Sequence, residues 1–185
     1  MKLENAVYEY IKEEVIDLFV RYDVKCIPIN GFELAAKMGI FLIPYSALTP
    51  VKLAAAIRIS CDGYYFEPGN GKEYIFYNDQ VEYERCNMTI LHEIGHAALG
   101  HSENTDADTA EAEAAFFAKY AAAPPPLIHK IRPTNPEKLA SVFSISNEAA
   151  EYAWDYYHKW LHKYRQRGRY VIYEKRLLLL FRESA

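Results

Sequence analysis

Apolar side chains recur every three or four residues through most of the chain, which is the pattern of helices that bury one face. Prolines and glycines stand at the expected ends of these stripes, such as Gly39 and Gly100 after a stripe and Pro50 at the start of one. The predicted helices span about residues 3–22, 32–38, 50–57, 80–99, 106–122, 136–143 and 147–164.

Polar residues next to these stripes are candidate helix caps. Asp79, with Glu82 three residues later, predicts a capping box at the start of the helix over residues 80–99. Ser146 is expected to cap the last long helix. The run Pro124-Pro125-Pro126 should prevent the helix over residues 106–122 from continuing, and the tail beyond Gly168 has no assigned structure.

Short apolar runs bounded by turn residues predict a small sheet. Residues 40–44 form one such run. Residues 64–66 and 74–77 flank a turn-rich segment and predict a hairpin. The order of elements predicts an α+β fold with a small antiparallel sheet beside the long central helix. We expect a domain over residues 1–126 and a C-terminal helical extension over residues 127–185, which resembles a helix-turn-helix.

Composition and charge narrow the class of protein. The 185 residues carry 21 Lys and Arg against 25 Asp and Glu, a net charge of -4, which disfavours general binding to nucleic-acid backbones. Three cysteines without CxxC spacing indicate reduced thiols and a cytosolic location. The N-terminal residues lack the apolar core of a signal peptide, and no apolar run is long enough for a membrane span. A cytoplasmic protein is therefore expected.

The sequence HEIGH at residues 92–96 carries the candidate chemistry. His92 and His96 lie one helical turn apart, so both imidazoles can reach one ion on the same face. Glu93 lies where it can act on water rather than on the metal. An ion lowers the pKa of water toward about 7, and a carboxylate then accepts the proton as water attacks a carbonyl. The motif predicts a zinc site with Glu93 as general base.

A catalytic zinc site needs a third protein ligand. Glu113 is in line with Phe116, Phe117 and Tyr120 on a helix face that should be buried, whereas Glu111 should face outward or lie behind the ligands. We therefore favour Glu113 over Glu111. His101 falls one residue too early for a metzincin ligand and is expected at the surface. The remaining candidates, expected at a solvated helix start, are Glu103, Asp106 and Asp108.

The segment RCNMTILHEIGH at residues 85–96, followed by EAEAAFFA at residues 111–118 and by Pro124, resembles the ImmA/IrrE family of metallopeptidases. The resemblance implies a gluzincin-like helix pair packed on a small sheet. It also implies Zn²⁺ bound by His92, His96 and Glu113, with Glu93 as the catalytic base. Ala115 stands where many members have Asn, which puts the packing of this helix in question.

The resemblance also implies the biological partner. Family members cleave a helix-turn-helix repressor in phage or mobile-element loci, and others act in stress responses or beside toxin genes. We expect a specific repressor or antitoxin-like regulator as substrate, bound along an edge strand at about residues 74–78. The alternative is a non-catalytic zinc protein, or a DNA-binding protein that acts through its C-terminal helices. Acidic residues on the candidate recognition helix disfavour direct nucleic-acid binding.

Overall fold

The computed structural model describes residues 3–102 and 104–182, and these form two compact units. The first comprises residues 30–118, and the second comprises residues 3–29 together with 119–182. Within the second unit the N-terminal helix packs against the C-terminal one. The units therefore differ from the division at residue 126 that the sequence suggests. Of the acidic candidates above, Glu103 lies outside the described residues.

The first unit contains the sheet and the helices that surround it. Its elements are α2 (Gly31–Met38), β1 (Phe41–Pro44), a 3-10 turn (Tyr45–Ala47), α3 (Pro50–Ile59), β2 (Gly63–Phe66), β3 (Tyr74–Tyr77), α4 (Tyr83–Ala98) and most of α5 (Ala107–Ala122). Asn30 caps α2 by accepting the Glu33 N–H, and Gly39 ends it with φ of 82°. An α+β fold is confirmed, since helices surround one small sheet beside α4.

The sheet has three strands in the order β1-β3-β2 and is mixed. β2 and β3 form the predicted antiparallel hairpin, whereas β1 pairs with β3 in parallel. β3 is therefore the central strand, and both of its backbone edges are already paired. The expectation that a substrate adds along residues 74–78 is wrong for this reason, and β2 is the edge strand that packs against α4.

Helix α4 begins at Tyr83, three residues later than predicted. The carboxylate of Asp79, expected to cap this helix, instead accepts the backbone N–H and the hydroxyl of Ser46. Glu82 occupies the N-cap position without a side-chain hydrogen bond. Farther along α4, the Asn87 side chain accepts the Gly31 N–H at 2.7 Å and so joins α4 to α2. The apolar face of α4 buries Ile90, Leu91 and Ile94 completely.

Gly95 allows α5 to approach α4 closely. A Cβ atom at this position would lie 3.1 Å from Cγ and Cδ1 of Phe117, a ring that is fully buried and cannot move aside easily. We expect Gly95→Ala to destabilise the protein by about 1–2 kcal/mol despite the better helix propensity of alanine. Urea unfolding measures this change. Phe117→Ala, which removes Cγ and Cδ1, should reduce the cost of Gly95→Ala, and an equal cost in both backgrounds would exclude the clash as its cause.

In its described residues, the second unit contains helices joined by loops and no strand. Its elements are α1 (Asn5–Arg21), the end of α5, α6 (Pro125–Ile131), α7 (Pro136–Phe143), α8 (Asn147–Arg167) and α9 (Ile172–Leu180). The prolines after α5 do end it, and they also start α6, which the sequence did not predict. The unassigned tail forms α9, which is held by a 2.6 Å hydrogen bond from Trp160 Nε1 to the buried Glu174 carboxylate.

The structure also bears on the state of the cysteines and on the prediction that no segment spans a membrane. Cys26, Cys61 and Cys86 are free thiols. Throughout residues 3–102 and 104–182, no helix is both long and apolar enough to cross a bilayer.

Candidate metal site

The two histidines of the motif converge on one point beside α4. Their Nε2 atoms are 3.1 Å apart, and their ring centroids are separated by 4.9 Å. Both side chains are mostly buried, with 23% exposed for His92 and 15% for His96. Burial lowers the pKa of His92, and burial together with the neighbouring His92 lowers the pKa of His96 to about 4. Both imidazoles are therefore neutral near pH 7, the form that binds a metal.

Glu111 brings a carboxylate from α5 to the same point. Its Oε2 atom is 3.3 Å from His92 Nε2, and its Oε1 atom is 3.4 Å from His96 Nε2. Within the described residues, these three side chains are the group whose ligand atoms lie close enough to hold one ion. Ligand atoms on a tetrahedral zinc ion with bonds of about 2.0–2.1 Å are about 3.3 Å apart. The separations and the donor set of two nitrogens and one oxygen both fit zinc.

Glu113 lies elsewhere, which differs from the sequence argument. Its Oε2 atom contacts His101 Nε2 at 3.0 Å, and the structure does not bring it to His92 and His96. The aromatic stripe beside Glu113 is buried as expected, and Glu113 itself is only 20% exposed. Glu111 is 66% exposed and lies in the wall of an open cleft. Glu113 was predicted as a ligand because its helix face should be buried, but a carboxylate at an open cleft can reach the histidines without burial.

His101 is not at the surface as expected. Its side chain is 7% exposed, and its Nδ1 atom lies 3.0 Å from His96 Nδ1. Gly100 has φ of 67°, and the backbone turn there lets the His101 N–H donate to the His96 carbonyl at 3.1 Å. His101 therefore contacts His96 at Nδ1, whereas His92 and His96 approach each other through their Nε2 atoms.

Glu93 lies close to the histidines but outside the group that can hold an ion. It is 7% exposed, and its Oε2 atom accepts the backbone N–H of Tyr65 in β2 at 2.8 Å. Burial is the main cause that raises the pKa of Glu93 to about 7, with a contribution from the Glu111 charge, while the Tyr65 N–H opposes the shift. A carboxyl group with this pKa can accept and release a proton near neutral pH.

An open cleft of about 640 Å³ exposes these groups to solvent. Its walls contain Met88, Thr89 and Tyr64, and the bidentate ion pair between Arg85 and Asp62 lies at its margin. Asp106 and Asp108, the other acidic candidates in the described residues, lie at the start of α5. Asp106 accepts hydrogen bonds from Thr109 there, which agrees with the expected position at a helix start.

Two functional features were missed by reasoning from the sequence. Tyr65 acts through its backbone N–H, so its residue type carries no signal. His101 could have been found by asking which histidine a turn at Gly100 folds back onto the end of α4.

The raised pKa of Glu93 gives a stability prediction for the metal-free protein. The pKa of Glu93 is about 7 in the folded protein and 4.5 ordinarily, so folding favours the protonated carboxyl group. This contribution to stability is full below about pH 4.5 and is lost as pH rises through 7. His92 and His96 shift in the opposite sense, with stability lost as pH falls below 6.5. Comparison with Glu93→Gln isolates the Glu93 contribution.

As pH rises from about 5 to about 8, we expect the stability of Glu93→Gln relative to the wild type to increase by about 2–3 kcal/mol, since the amide cannot ionise. Urea unfolding in the presence of a chelator measures this difference at each pH. Parallel stability curves for the two proteins would mean that Glu93 titrates like an exposed carboxyl group.

Comparison with known families supports the chemistry of this site. The family model described as the IrrE N-terminal-like domain, Peptidase M78, matches residues 59–155, more than half of the chain. The chain belongs to this peptidase family. The resemblance noted in the sequence is thereby confirmed. No curated protein matches the chain. Membership implies a metal-dependent peptidase, and the match includes both α4 and the α5 carboxylates.

Proposed function

We propose that this chain is a zinc-dependent endopeptidase that cleaves one specific regulatory protein in the cytoplasm. The observation that carries the proposal is the arrangement of two carboxylates around one histidine pair. Glu111 contacts the Nε2 atoms of both histidines, whereas Glu93 stays outside that group and is bonded to Tyr65. A ligand carboxylate and a separate base at one open cleft are what metal-assisted hydrolysis needs.

His92, His96 and Glu111 would hold the ion. Two neutral imidazoles and a carboxylate suit zinc and leave one position open for water or substrate, as catalytic sites require. Zinc bound there would polarise a carbonyl group and lower the pKa of water toward about 7. The proposal replaces the sequence-based choice of Glu113 with Glu111, because Glu111 is the carboxylate whose oxygens approach both histidines.

Glu93 would move the protons. The Tyr65 N–H holds Oε2, which leaves Oε1 as the atom that we assign to the proton taken from water. With a pKa near 7, the carboxylate can accept that proton and return it to the leaving amine.

The substrate would lie along β2 as an added strand. β2 is an edge strand, and Tyr65, which is opposite Ile75, turns its N–H away from β3 and toward the Glu93 side chain. Glu93 occupies that N–H, so an extended peptide would pair with the other outward backbone groups of β2. A scissile bond presented there would lie beside the cleft that contains His92 and Glu93.

The partner that we propose is a helix-turn-helix repressor or an antitoxin-like regulator, on the strength of the family resemblance. The test is incubation of the purified protein with regulators encoded beside its gene, followed by sequencing of new N-termini. We expect one cut site, lost with a chelator and restored with Zn²⁺. Cleavage that survives complete metal removal would contradict the proposal. Failure on casein would not, since a specific protease ignores general substrates.

Direct DNA binding remains disfavoured by the C-terminal helices. α8 exposes Glu148, Glu151 and Asp155 in its first half, where a recognition helix should be basic. We expect filter binding across a salt titration to find no salt-sensitive affinity for duplex DNA. A steep salt dependence would instead favour the DNA-binding alternative.

A further inference from the structure

A chain of polar contacts leads from the metal site into the protein. His96 Nδ1 lies 3.0 Å from His101 Nδ1, and His101 Nε2 lies 3.0 Å from Glu113 Oε2. His101 and Glu113 are both largely buried, with 7% and 20% of their side chains exposed. These contacts involve Nδ1 of His96, whereas Glu111 approaches Nε2 of the same ring. His101 and Glu113 are therefore neither proposed metal ligands nor the proposed base.

Counting hydrogen-bond donors and acceptors places the protons on His96 and His101. If His96 directs the Nε2 lone pair toward a metal, its proton is on Nδ1 and donates to His101 Nδ1. His101 must then carry its own proton on Nε2, where it donates to the Glu113 carboxylate. One set of neutral tautomers therefore satisfies both contacts and leaves His96 Nε2 unprotonated.

We propose that His101 and Glu113 are positioning residues that hold His96 in the tautomer and ring orientation required for metal binding. The inference rests on the proposed function only in taking His96 as a ligand. Metal-binding histidines commonly donate a hydrogen bond from the N–H of their second ring nitrogen to an acceptor in the protein. Loss of that acceptor weakens metal binding by about 10- to 100-fold. A histidine followed by a carboxylate serves that purpose here.

The test measures zinc affinity by chelator competition, together with the ring-nitrogen NMR shifts of His96, and needs no substrate. We expect His101→Phe to weaken zinc binding by about 10- to 100-fold and to populate the other His96 tautomer in the metal-free protein. His101→Gln, whose amide can accept from Nδ1, should recover part of both. His162→Phe, a change at an exposed histidine, is the matched control.

The outcomes separate this inference from the proposed function. Unchanged zinc affinity and unchanged His96 shifts in both His101 variants would overturn the positioning role, even if Glu111→Gln abolishes binding. If the wild type binds no zinc, the proposed metal site fails instead. The NMR shifts of metal-free wild type and His101→Phe still decide whether His101 sets the His96 tautomer.

A separate observation concerns a groove in the second unit, with a volume of about 850 Å³. His129, Tyr164 and Tyr170 form an aromatic wall, and Trp160 stacks behind Tyr164 with ring centroids 5.1 Å apart. The basic side chains that line it are Lys130, Arg132, Lys175 and Arg182. No acidic side chain lines the groove in the described part of the chain.

In the described part of the chain, no ion pair neutralises the basic side chains of the groove. Lys130 Nζ donates to the Phe181 carbonyl at 2.6 Å, and within residues 3–102 and 104–182 the groove's other three cations form no ion pair. Burial is the main cause that lowers the pKa of His129, and the charges of Arg132 and Arg165 contribute to the same shift. Converging like charges repel one another, and a bound anion would relieve this repulsion.

We infer that this groove binds a small anion that carries a flat ring, a class represented by nucleoside phosphates. The ring would stack on Tyr164 and Tyr170, and the phosphate would contact Arg132 and Lys175. Titration calorimetry with AMP and with inorganic phosphate tests both parts. We expect AMP to bind at least about tenfold more tightly than phosphate.

Variants assign the two contributions to the groove. Tyr164→Leu should remove the preference for AMP, and Arg132→Gln with Lys175→Gln should weaken both ligands at least about tenfold. Lys138→Gln, a basic residue outside the groove, should change neither. Absence of AMP binding by the wild type, or equal affinities for AMP and phosphate, would overturn the inference.

Discussion

Glu111→Gln should weaken zinc binding by about 100- to 1000-fold, whereas Glu113→Gln should change it by less than about tenfold. Four-ligand zinc sites bind with about 10–16 kcal/mol, so one ligand is worth about 3–4 kcal/mol. Glutamine at position 113 can still accept from His101 through its amide oxygen. Competition with a chelator of known affinity measures both variants under the same conditions.

The two glutamates form a matched pair, two positions apart on α5, and each loses one charge through the same substitution. Circular dichroism should show the same helix content for both, so a difference in affinity reports on the site and not on folding. A larger loss for Glu113→Gln would restore the assignment that the sequence favoured. Such a result would also require α5 to rotate when the metal binds.

Glu93→Gln should reduce cleavage by at least about 100- to 10 000-fold while zinc affinity changes by less than about threefold. General acid–base catalysis contributes an effect of this size, and an amide cannot accept the proton. The amide oxygen can still accept the Tyr65 N–H, so the position of β2 beside α4 should be kept. Single-turnover cleavage of the identified substrate, with zinc content measured in the same preparation, provides the comparison.

The zinc measurement gives this experiment its control. Lost cleavage with full zinc content supports Glu93 as the base. Full activity in the variant would refute that role. If zinc and activity disappear together, Glu93 is needed to build the site, which contradicts its place outside the ligand group.

Several elements follow from the sequence because their causes are local. Periodic apolar stripes and polar caps predicted α1, α7 and α8 within a few residues, including Ser146 as an N-cap. The prediction for α4 began too early because Asp79 has a tertiary partner, Ser46, that no local pattern reveals. α6 was missed because proline ends one helix and starts another equally well.

The sequence by itself determined that two histidines lie on one face of a helix, that Glu93 follows the first of them, and that the chain resembles the family to which it belongs. These features depend on spacing along a single helix and on a short motif, so no long-range contact is needed to predict them. The sequence also favoured two glutamates on the next helix as candidates for the third ligand.

The proposed choice between those glutamates rests on the tertiary structure. Helical periodicity shows which residues share a face, but it does not show where a neighbouring helix lies around that face. In the fold, Phe117 of α5 packs against Gly95 of α4, and Glu111 lies in the wall of the open cleft beside both histidines. The inward carboxylate, Glu113, meets His101 behind the histidine pair because the turn at Gly100 returns the chain there.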